Sequence, residues 1–431
     1  MSEPQESNNN YDVVVIGGGS AGFCAAIAAA RQGGQGSRVA LIEKSDRLGG
    51  MGPLAFVHTF CGLYHPDTSM PPRVANAGLP AEIEAAIRQR TGQEAPTAMG
   101  RVYVLHQHPE IYDQLAKELV AAEGESLDCM MESECIDITR ESDGGFAVEV
   151  LTTGGIRPMR CRSVVDCSAD ALGADLLGAT RLSEESDRLQ KPAFIFSLKN
   201  VGKEVREERF KMRLALDLVH GVGTGQLPGS ILGATVRESV HKGECFISMD
   251  LDTDKTQWNP SNPAAVAEIE RTGRDLAMKL YTFLQVQYPF FEEATEPEFP
   301  PSIGVRESFR WLGRHVLTGQ ELVDGVSFPD TVANATWPLE MREDAKGAKF
   351  TYFKNARASG IPLRALVSAE IPGVYFAGRC ISATHEALAS VRVMGTCFAT
   401  GQAAGMASMC YAQGTKGLDA QARMIQGSLN H

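Results

Sequence analysis

The stretch Tyr11-Asp12-Val13-Val14-Val15-Ile16-Gly17-Gly18-Gly19-Ser20-Ala21-Gly22 decides how the rest of the chain is read. Its apolar run lacks polar alternation, as expected of a parallel strand buried on both faces. The glycines turn the chain into an Ala-rich segment, predicted helical from about Ala21 to Gln32 and stopped by Gly33-Gly34. Gly17 permits the tight turn, Gly19 lets the backbone approach a pyrophosphate, and Gly22 lets helix and strand pack closely. Unpaired amides at the helix start, around Ser20 and Ala21, face the phosphate charge. A second strand, Arg38-Val39-Ala40-Leu41-Ile42, ends in Glu43. That is roughly the 20-residue separation expected of the acid that holds a ribose hydroxyl. The combination specifies a dinucleotide site.

With 431 residues the chain suggests two domains, since a domain usually holds about 100–200 residues. A formal net charge of −12 and a pI near 5.3 argue against nucleic acid and against an anionic membrane surface as partners. The first ten residues are polar, with no hydrophobic signal core, and are expected to be a disordered tail. No apolar run approaches the roughly 20 residues that span a bilayer, so the cytoplasm is the expected setting. Of ten cysteines, Cys24, Cys135, Cys397 and Cys410 lie in apolar patterns and read as small buried residues. No Cys-x-x-Cys occurs, which removes a zinc ribbon and a redox disulfide of that spacing; no metal site is expected.

After Glu43 the chain reads Lys44-Ser45-Asp46-Arg47-Leu48-Gly49-Gly50-Met51-Gly52. The acid, the short basic loop and the Gly-Gly pair resemble the FAD-binding fold of the glutathione-reductase type. That resemblance puts Glu43 and Lys44 at the adenosine end of FAD, and Gly49, Gly50 and Met51 at the ribityl–flavin end. Glu132 to Ile138, the Asp143-Gly144-Gly145 turn and two alternating strands resemble the small β-meander of such domains, whose first strand, near Cys135, contacts adenine through its backbone. Arg162 to Asp170 resembles the strand closing the first FAD segment, which implies that Ala169 and Asp170 lie near the phosphates or adenosine; Asp170 also suits a helix N-cap. Ile371 to Arg379 and Ser382 to Gly405, taken with the N-terminal motif, resemble a large family of FAD-dependent oxidoreductases, mostly of unassigned substrate. In that family this segment completes the flavin pocket. The resemblance therefore assigns Gly378, Arg379, Met394 and Gly395 to the cofactor, with the last helix aimed at the flavin's pyrimidine carbonyls. Many FAD proteins carry an acid where this chain has Arg379. Cys397, Gly401 and Gly405 fall four apart and predict a small-residue seam for close packing.

The remaining segments fill in the organisation. Helices are predicted around Leu79 to Arg90, Pro109 to Glu123 and Ala264 to Tyr288. No second strand–glycine–helix fingerprint appears between Arg181 and Lys354, so this region is read as a substrate or cap domain. The predicted fold is α/β: a Rossmann-like FAD-binding domain, a parallel sheet plus a small β-meander, carrying an inserted α+β substrate/cap domain. Its segments are a tail at 1–10, FAD-binding residues 11–180, the inserted domain at 181–354, FAD-binding residues 355–415 and a C-terminal tail at 416–431. If Arg306 to His315 is helical, Arg306, Arg310 and Arg314 share a face able to hold an anion.

FAD carries the redox chemistry, and hydride removal from an alcohol, amine or activated C–H needs a base for the accompanying proton. His385 is the first candidate, in the segment expected to wrap the flavin, and His58 the second. Arg392 is positioned to hold an anionic substrate or to stabilise charge on the flavin. The expected function is an FAD-dependent dehydrogenase or oxidase of a small molecule, with an anionic substrate compatible and a redox partner protein left open. A monooxygenase or halogenase is the first alternative. Against it, Ser168-Ala169-Asp170-Ala171 lacks the Asp-Gly of aromatic hydroxylases and no Trp-x-Trp-x-Ile-Pro run occurs. The second alternative is an electron-transfer subunit working with a partner, although the chain has no cysteine cluster for an iron–sulfur centre.

Overall fold

A computed structural model describes residues 9–253, 258–343 and 347–429. Strand β1 (Asn10–Ile16) leads into helix α1 (Ser20–Gly33) and returns through β2 (Val39–Ile42). Helix α2 (Pro109–Ala121) and strand β3 (Leu127–Met130) follow. The meander is β4 (Glu134–Arg140), β5 (Phe146–Thr152) and the first half of β6 (Gly155–Asp166). The inserted region contributes β7 (Ala193–Lys199), α3 (Glu208–Gly223), β8 (Thr235–Glu238), β9 (Glu244–Asp250) and α4 (Pro263–Gln287). The chain closes with β10 (Val374–Phe376), α5 (His385–Val391), α6 (Met394–Ala412) and α7 (Leu418–Leu429).

The main sheet has seven strands in the order β3-β2-β1-β6-β5-β4, with β10 also on β6. β1 lies parallel between β2 (Val13 opposite Val39) and β6 (Val13 opposite Ser163). β6 changes neighbours along its length. Its first half pairs antiparallel with β5, and Val164 to Asp166 pair parallel with β10. Val13, Val15, Val39 and Leu41 point into one core with α1 and α6, while Val14, Ile16, Ala40 and Ile42 point into the core under the meander. Burial on both faces is why the strand carries no polar residue beyond Asp12. The seam expected at Cys397, Gly401 and Gly405 is the α1–α6 contact: a Cβ on Gly401 or Gly405 would come within 2.0 Å of the carbonyl of Ala21 or Ala25.

The inserted region has its own core, from Leu189 to Ile303, built on the sheet β7-β9-β8 and the inner faces of α3 and α4. Its upper limit lies well before 354. Leu317, Val332, Ala333, Leu339 and Phe353 pack into the core of the FAD-binding domain instead. The segment expected as an arginine-bearing helix is extended; Arg310-Trp311 pairs antiparallel with Arg181-Leu182, and Arg306, Arg310 and Arg314 diverge.

The C-terminal tail needs correction, and the N-terminal one only at its last two residues. Residues 1–8 lie outside the described residues, but Asn10 begins β1 and the Asn9 carbonyl accepts from the Arg160 amide at 2.9 Å. Residues 418–429 form helix α7, not a tail. Its Leu418, Ala422, Ile425 and Leu429 recur at helical spacing and pack into the main core, and Gln421 accepts from the buried Tyr375 hydroxyl at 2.9 Å.

Candidate functional site

The cradle at the start of α1 is made by backbone. Gly17 has φ +89°, and a Cβ on Gly22 would stand 1.7 Å from the Gly17 carbonyl. Gly19 instead faces open space, with only Gly50 Cα within 4 Å of a built Cβ, at 3.8 Å. It is the N-cap of α1, no side chain caps the helix there, and the first turn holds no acid. Free amides and the positive end of the helix dipole therefore face that space. Ser20 turns aside: its Oγ donates to the Gly49 carbonyl (3.1 Å) and meets the Tyr112 hydroxyl at 2.7 Å. Ala21 is buried beneath Gly378. Tyr112 escaped the sequence reading because it looks like one more core residue of α2. Its signal was indirect, since its ring explains why Gly49 and Gly52 lack side chains (built Cβ atoms 2.6 and 2.5 Å away).

At the end of β2 the buried Glu43 carboxylate accepts from the Gly18 amide (2.6 Å) and the Ser45 amide (2.8 Å), which fixes it beside the glycine turn. Lys44 is exposed. Gly50 (φ +63°) leads into a short helix that begins at Met51. Cys135 is paired with Val150 in the meander and its thiol lies in the core, so only its backbone is available to a ligand.

The strand end at β6 is held by Asp166, which the sequence reading passed over. It is fully buried and accepts from Ser168 N (2.9 Å), Gly173 N (2.8 Å) and Trp311 Nε1 (2.8 Å). Burial pushes its carboxyl up, against the pull of those donors. Beyond it Ala169 and Ala171 sit at φ +72° and +53°, a conformation that costs a non-glycine residue energy and marks a tightly determined turn. Asp170 accepts from Arg379 Nη2 at 2.7 Å and from the Ser308 hydroxyl. Asp170 is thus paired with the arginine that stands where many FAD proteins carry an acid.

His385, the first catalytic candidate, and Arg392, the candidate for holding an anion, are brought together by Gln190. Its amide donates to Glu307 Oε2 (3.2 Å) and its Oε1 accepts from Arg392 Nη2 (3.3 Å). His385 opens α5 behind the N-cap Thr384, is 2% exposed, and its Nδ1 lies 2.8 Å from Glu307 Oε2. Glu307 is fully buried and also accepts from Arg310, whose other nitrogen donates to Glu184 at 3.0 Å. Burial alone lowers His385, but the hydrogen bond and charge of Glu307 reverse this and leave it above its ordinary range. Glu307 in turn sits below the carboxylate range, because His385 and Arg310 overcome its own burial. His385 Nε2 has no hydrogen-bond partner among the described residues. Burial and neighbouring arginine lower Arg392, whose Nη2 reaches only the Gln190 amide oxygen and the Glu340 carbonyl.

His58 stands elsewhere, stacked on Phe246 of the inserted sheet at 4.5 Å. Its Nδ1 meets the Phe56 carbonyl at 3.0 Å, and burial pulls its pKa down to about 3, so it stays neutral. Met394 begins α6. Gly395 differs from expectation: its amide donates to the Cys61 carbonyl (2.9 Å), and a Cβ would meet Gly62 and Leu63 backbone at 2.6 Å. Its glycine is required by protein packing.

These residues fit FAD. The open glycine cradle, the uncapped α1 and the fixed Glu43 suit the pyrophosphate and ribose. Around the starts of α5 and α6, Arg379 Nε, Arg392 Nε, Thr396 Oγ1 and His385 Nε2 are buried polar atoms without a hydrogen-bond partner among the described residues, as expected of a polar ring system's surroundings. No helix among the described residues is long and apolar enough to cross a membrane.

Comparison with known proteins gives the following. No curated protein sequence matches the chain. Among solved structures, a geranylgeranyl bacteriochlorophyll reductase-like protein from Thermoplasma acidophilum is 11% identical, with 98% of this chain and 84% of that chain covered at a TM-score of 0.48. The flavin-dependent brominase Bmp2 is 13% identical over 96% of this chain and 83% of its own, with a TM-score of 0.48. The myxobacterial chondrochloren halogenase CndH is 12% identical over 97% and 78%, with a TM-score of 0.44. The sequence itself matches the profile described as FAD dependent oxidoreductase over residues 12–429, nearly its whole length, and the chain belongs to that FAD-dependent oxidoreductase family.

Proposed function

We propose that this enzyme is a dehydrogenase or oxidase that takes a hydride from a small organic anion, with His385 accepting the proton that leaves with it. When bound, FAD supplies the two-electron acceptor for the hydride. One observation carries the reading: a buried histidine whose Nδ1 is fixed on a fully buried carboxylate and whose Nε2 makes no hydrogen bond among the described residues, its nearest acid being Glu343 Oε1 at 4.0 Å. Glu307 orients the ring, selects the tautomer with its proton on Nδ1 and leaves Nε2 as the acceptor. It also stabilises the imidazolium formed when Nε2 takes a substrate hydroxyl or amine proton. Arg392, held by neutral oxygens, orients the substrate's negative group through charge and hydrogen bonds. Gly17, Gly19 and Gly22 with the α1 amides hold the pyrophosphate, Glu43 the ribose, and Asp170 with Arg379 the ribityl side.

The test is anaerobic bleaching of the FAD-loaded enzyme by candidate hydroxy and amino acids. A positioned base contributes about 10²–10⁴-fold, so His385→Ala is expected to slow flavin reduction by at least ~10²-fold with FAD content unchanged. Unchanged reduction kinetics would sink the assignment. Bleaching by NADPH alone would point to a monooxygenase, and bleaching only with a second protein to an electron-transfer subunit.

A further inference from the structure

Charge counting around Arg392 leads across the domain boundary. Three guanidinium groups lie close together here. Arg306 pairs with Asp250 Oδ1 (2.7 Å), and Arg342 pairs with Asp250 Oδ2 (2.7 Å) and Glu340 Oε1 (2.7 Å). Those two cations and two carboxylates balance. Arg392 does not take part: it has two neutral oxygens, each at 3.3 Å, and a buried Nε without a partner among the described residues.

A second arginine is in the same position. Arg237, half-buried on β8 of the inserted sheet, donates to the Met99 thioether at 3.0 Å, a weak acceptor. No carboxylate among the described residues forms an ion pair with it. The adjacent Glu238 is taken by Arg206 at 3.0 Å. Glu340 and Glu307 act on Arg392 only through space, and a partly buried cation without a directly paired carboxylate is costly to keep, which makes two such groups at one boundary informative.

The two guanidiniums border one place. Cys61, Met99 and Val393 pack in a single cluster with Val102, Val104 and Trp337. Arg237 rests on Met99 of that cluster, and Arg392 directly precedes Val393. Cys61, half-buried like Met99 and Val393, lies near enough to both guanidiniums to feel their charges. His58, 5% exposed with Nε2 unpaired among the described residues, stands near Arg237 as a neutral acceptor, suited to a hydroxyl or amine hydrogen.

We propose that a substrate with two separate anionic groups, carboxylate or phosphate, binds where the start of the closing helices meets the inserted sheet, one group held by Arg392 and the other by Arg237. This rests on the anionic-substrate reading above and extends it. The inserted domain then does more than cover the flavin: it reads the far end of the substrate and rejects monoanions, which would leave Arg237 unpaired.

The experiment titrates the FAD-loaded full-length protein with butyrate, succinate, glutarate, adipate and phosphoglycolate, reading the flavin absorbance. At least one dianion is expected to bind tenfold or more tighter than butyrate. Arg237→Gln should remove that advantage and leave butyrate affinity and FAD content unchanged, and Arg237→Lys should restore part of it. Arg392→Gln should weaken butyrate and dianions alike. Whether phosphoglycolate or a dicarboxylate binds tighter identifies the second group. Dianions no tighter than butyrate, or a dianion preference unmoved in Arg237→Gln, overturns this inference alone. Anion binding untouched in Arg392→Gln overturns the anionic-substrate reading beneath it as well.

Discussion

Replacing Glu307 by Gln removes one charge and almost no volume from the centre of the reacting end. The carboxylate serves His385 Nδ1 at 2.8 Å, Arg310, and the Gln190 amide at 3.2 Å. Arg310 keeps Glu184 at 3.0 Å, so its guanidinium is not left without a partner and the fold is expected to survive. Two effects follow for His385. Burial, now opposed only by the more distant charges of Glu184 and Glu386, pulls it down from its wild-type value, so the pH at which flavin reduction reaches half its plateau moves to lower pH. The imidazolium formed in the reaction also loses its charged partner. A hydrogen bond between charged groups contributes about 1.5–3 kcal/mol, equivalent to a loss of roughly 10- to 100-fold in plateau rate. The assay is anaerobic stopped-flow reduction across a pH series, with FAD stoichiometry as the control for folding. An unmoved pH profile with a rate within about twofold of wild type would refute the role assigned to the pair, because such a result means His385 does not titrate in the reaction.

Other outcomes follow from the same geometry. The Glu307–His385 pair should also show in stability. His385 is raised, so its contribution is complete below its ordinary 6.5 and lost as pH rises through its folded value; Glu307 is lowered, so its contribution is present above its ordinary 4.5 and lost as pH falls. Urea midpoints of wild type and Glu307→Gln should therefore differ most between those two values and converge on either side. Gly401→Ala puts a methyl 2.0 Å from the Ala21 carbonyl and forces α6 off the start of α1; a loss of about 1–3 kcal/mol in denaturation and weakened FAD retention on gel filtration are expected. Glu43→Ala leaves the Gly18 and Ser45 amides without their carboxylate, and FAD affinity should fall about tenfold, ~1.4 kcal/mol, by fluorescence titration. Deleting residues 418–429 uncovers Ile425's pocket in the main core and should give an aggregating or FAD-poor protein on size-exclusion chromatography.

What could be read from the sequence was whatever the backbone imposes locally. Gly17, Gly19 and Gly22 follow from a turn geometry, Glu43 from a strand length, and Gly401 with Gly405 from helical spacing against a neighbour that must come close. Those signals live within a few residues of each other. Asp166 and Glu307 left none, because each acts on a partner far along the chain: Trp311 and His385. Glu307 was also hidden by a wrong period. Four-residue spacing of Arg306, Arg310 and Arg314 suggested a helix, whereas the segment is extended, and extended backbone sends the Arg306 and Arg310 guanidiniums to different acids. Arg379 shows a related failure. Its local sequence promised a missing acid, and tertiary packing brings Asp170 to it from 209 residues away.

The two ends of the site are therefore built from different materials, and they should fail differently. The proposed pyrophosphate cradle is amides, glycines and a helix terminus, held by the α1–α6 seam; side-chain substitutions that spare packing leave it intact. The proposed reacting end is a lattice of side-chain ion pairs and hydrogen bonds joining residues 184–190, 250, 306–310, 340–342 and 385–392, with the inserted sheet as one wall. Removing one charge there unbalances its partners before it disturbs the sheet beneath α1. Variants of Glu307, His385, Arg392 and Arg237 should then remain yellow while losing turnover or anion preference, and variants of Gly401 or Glu43 should lose colour first. A substitution at the ion-pair lattice that releases FAD as readily as one at the seam would mean the two ends are mechanically one.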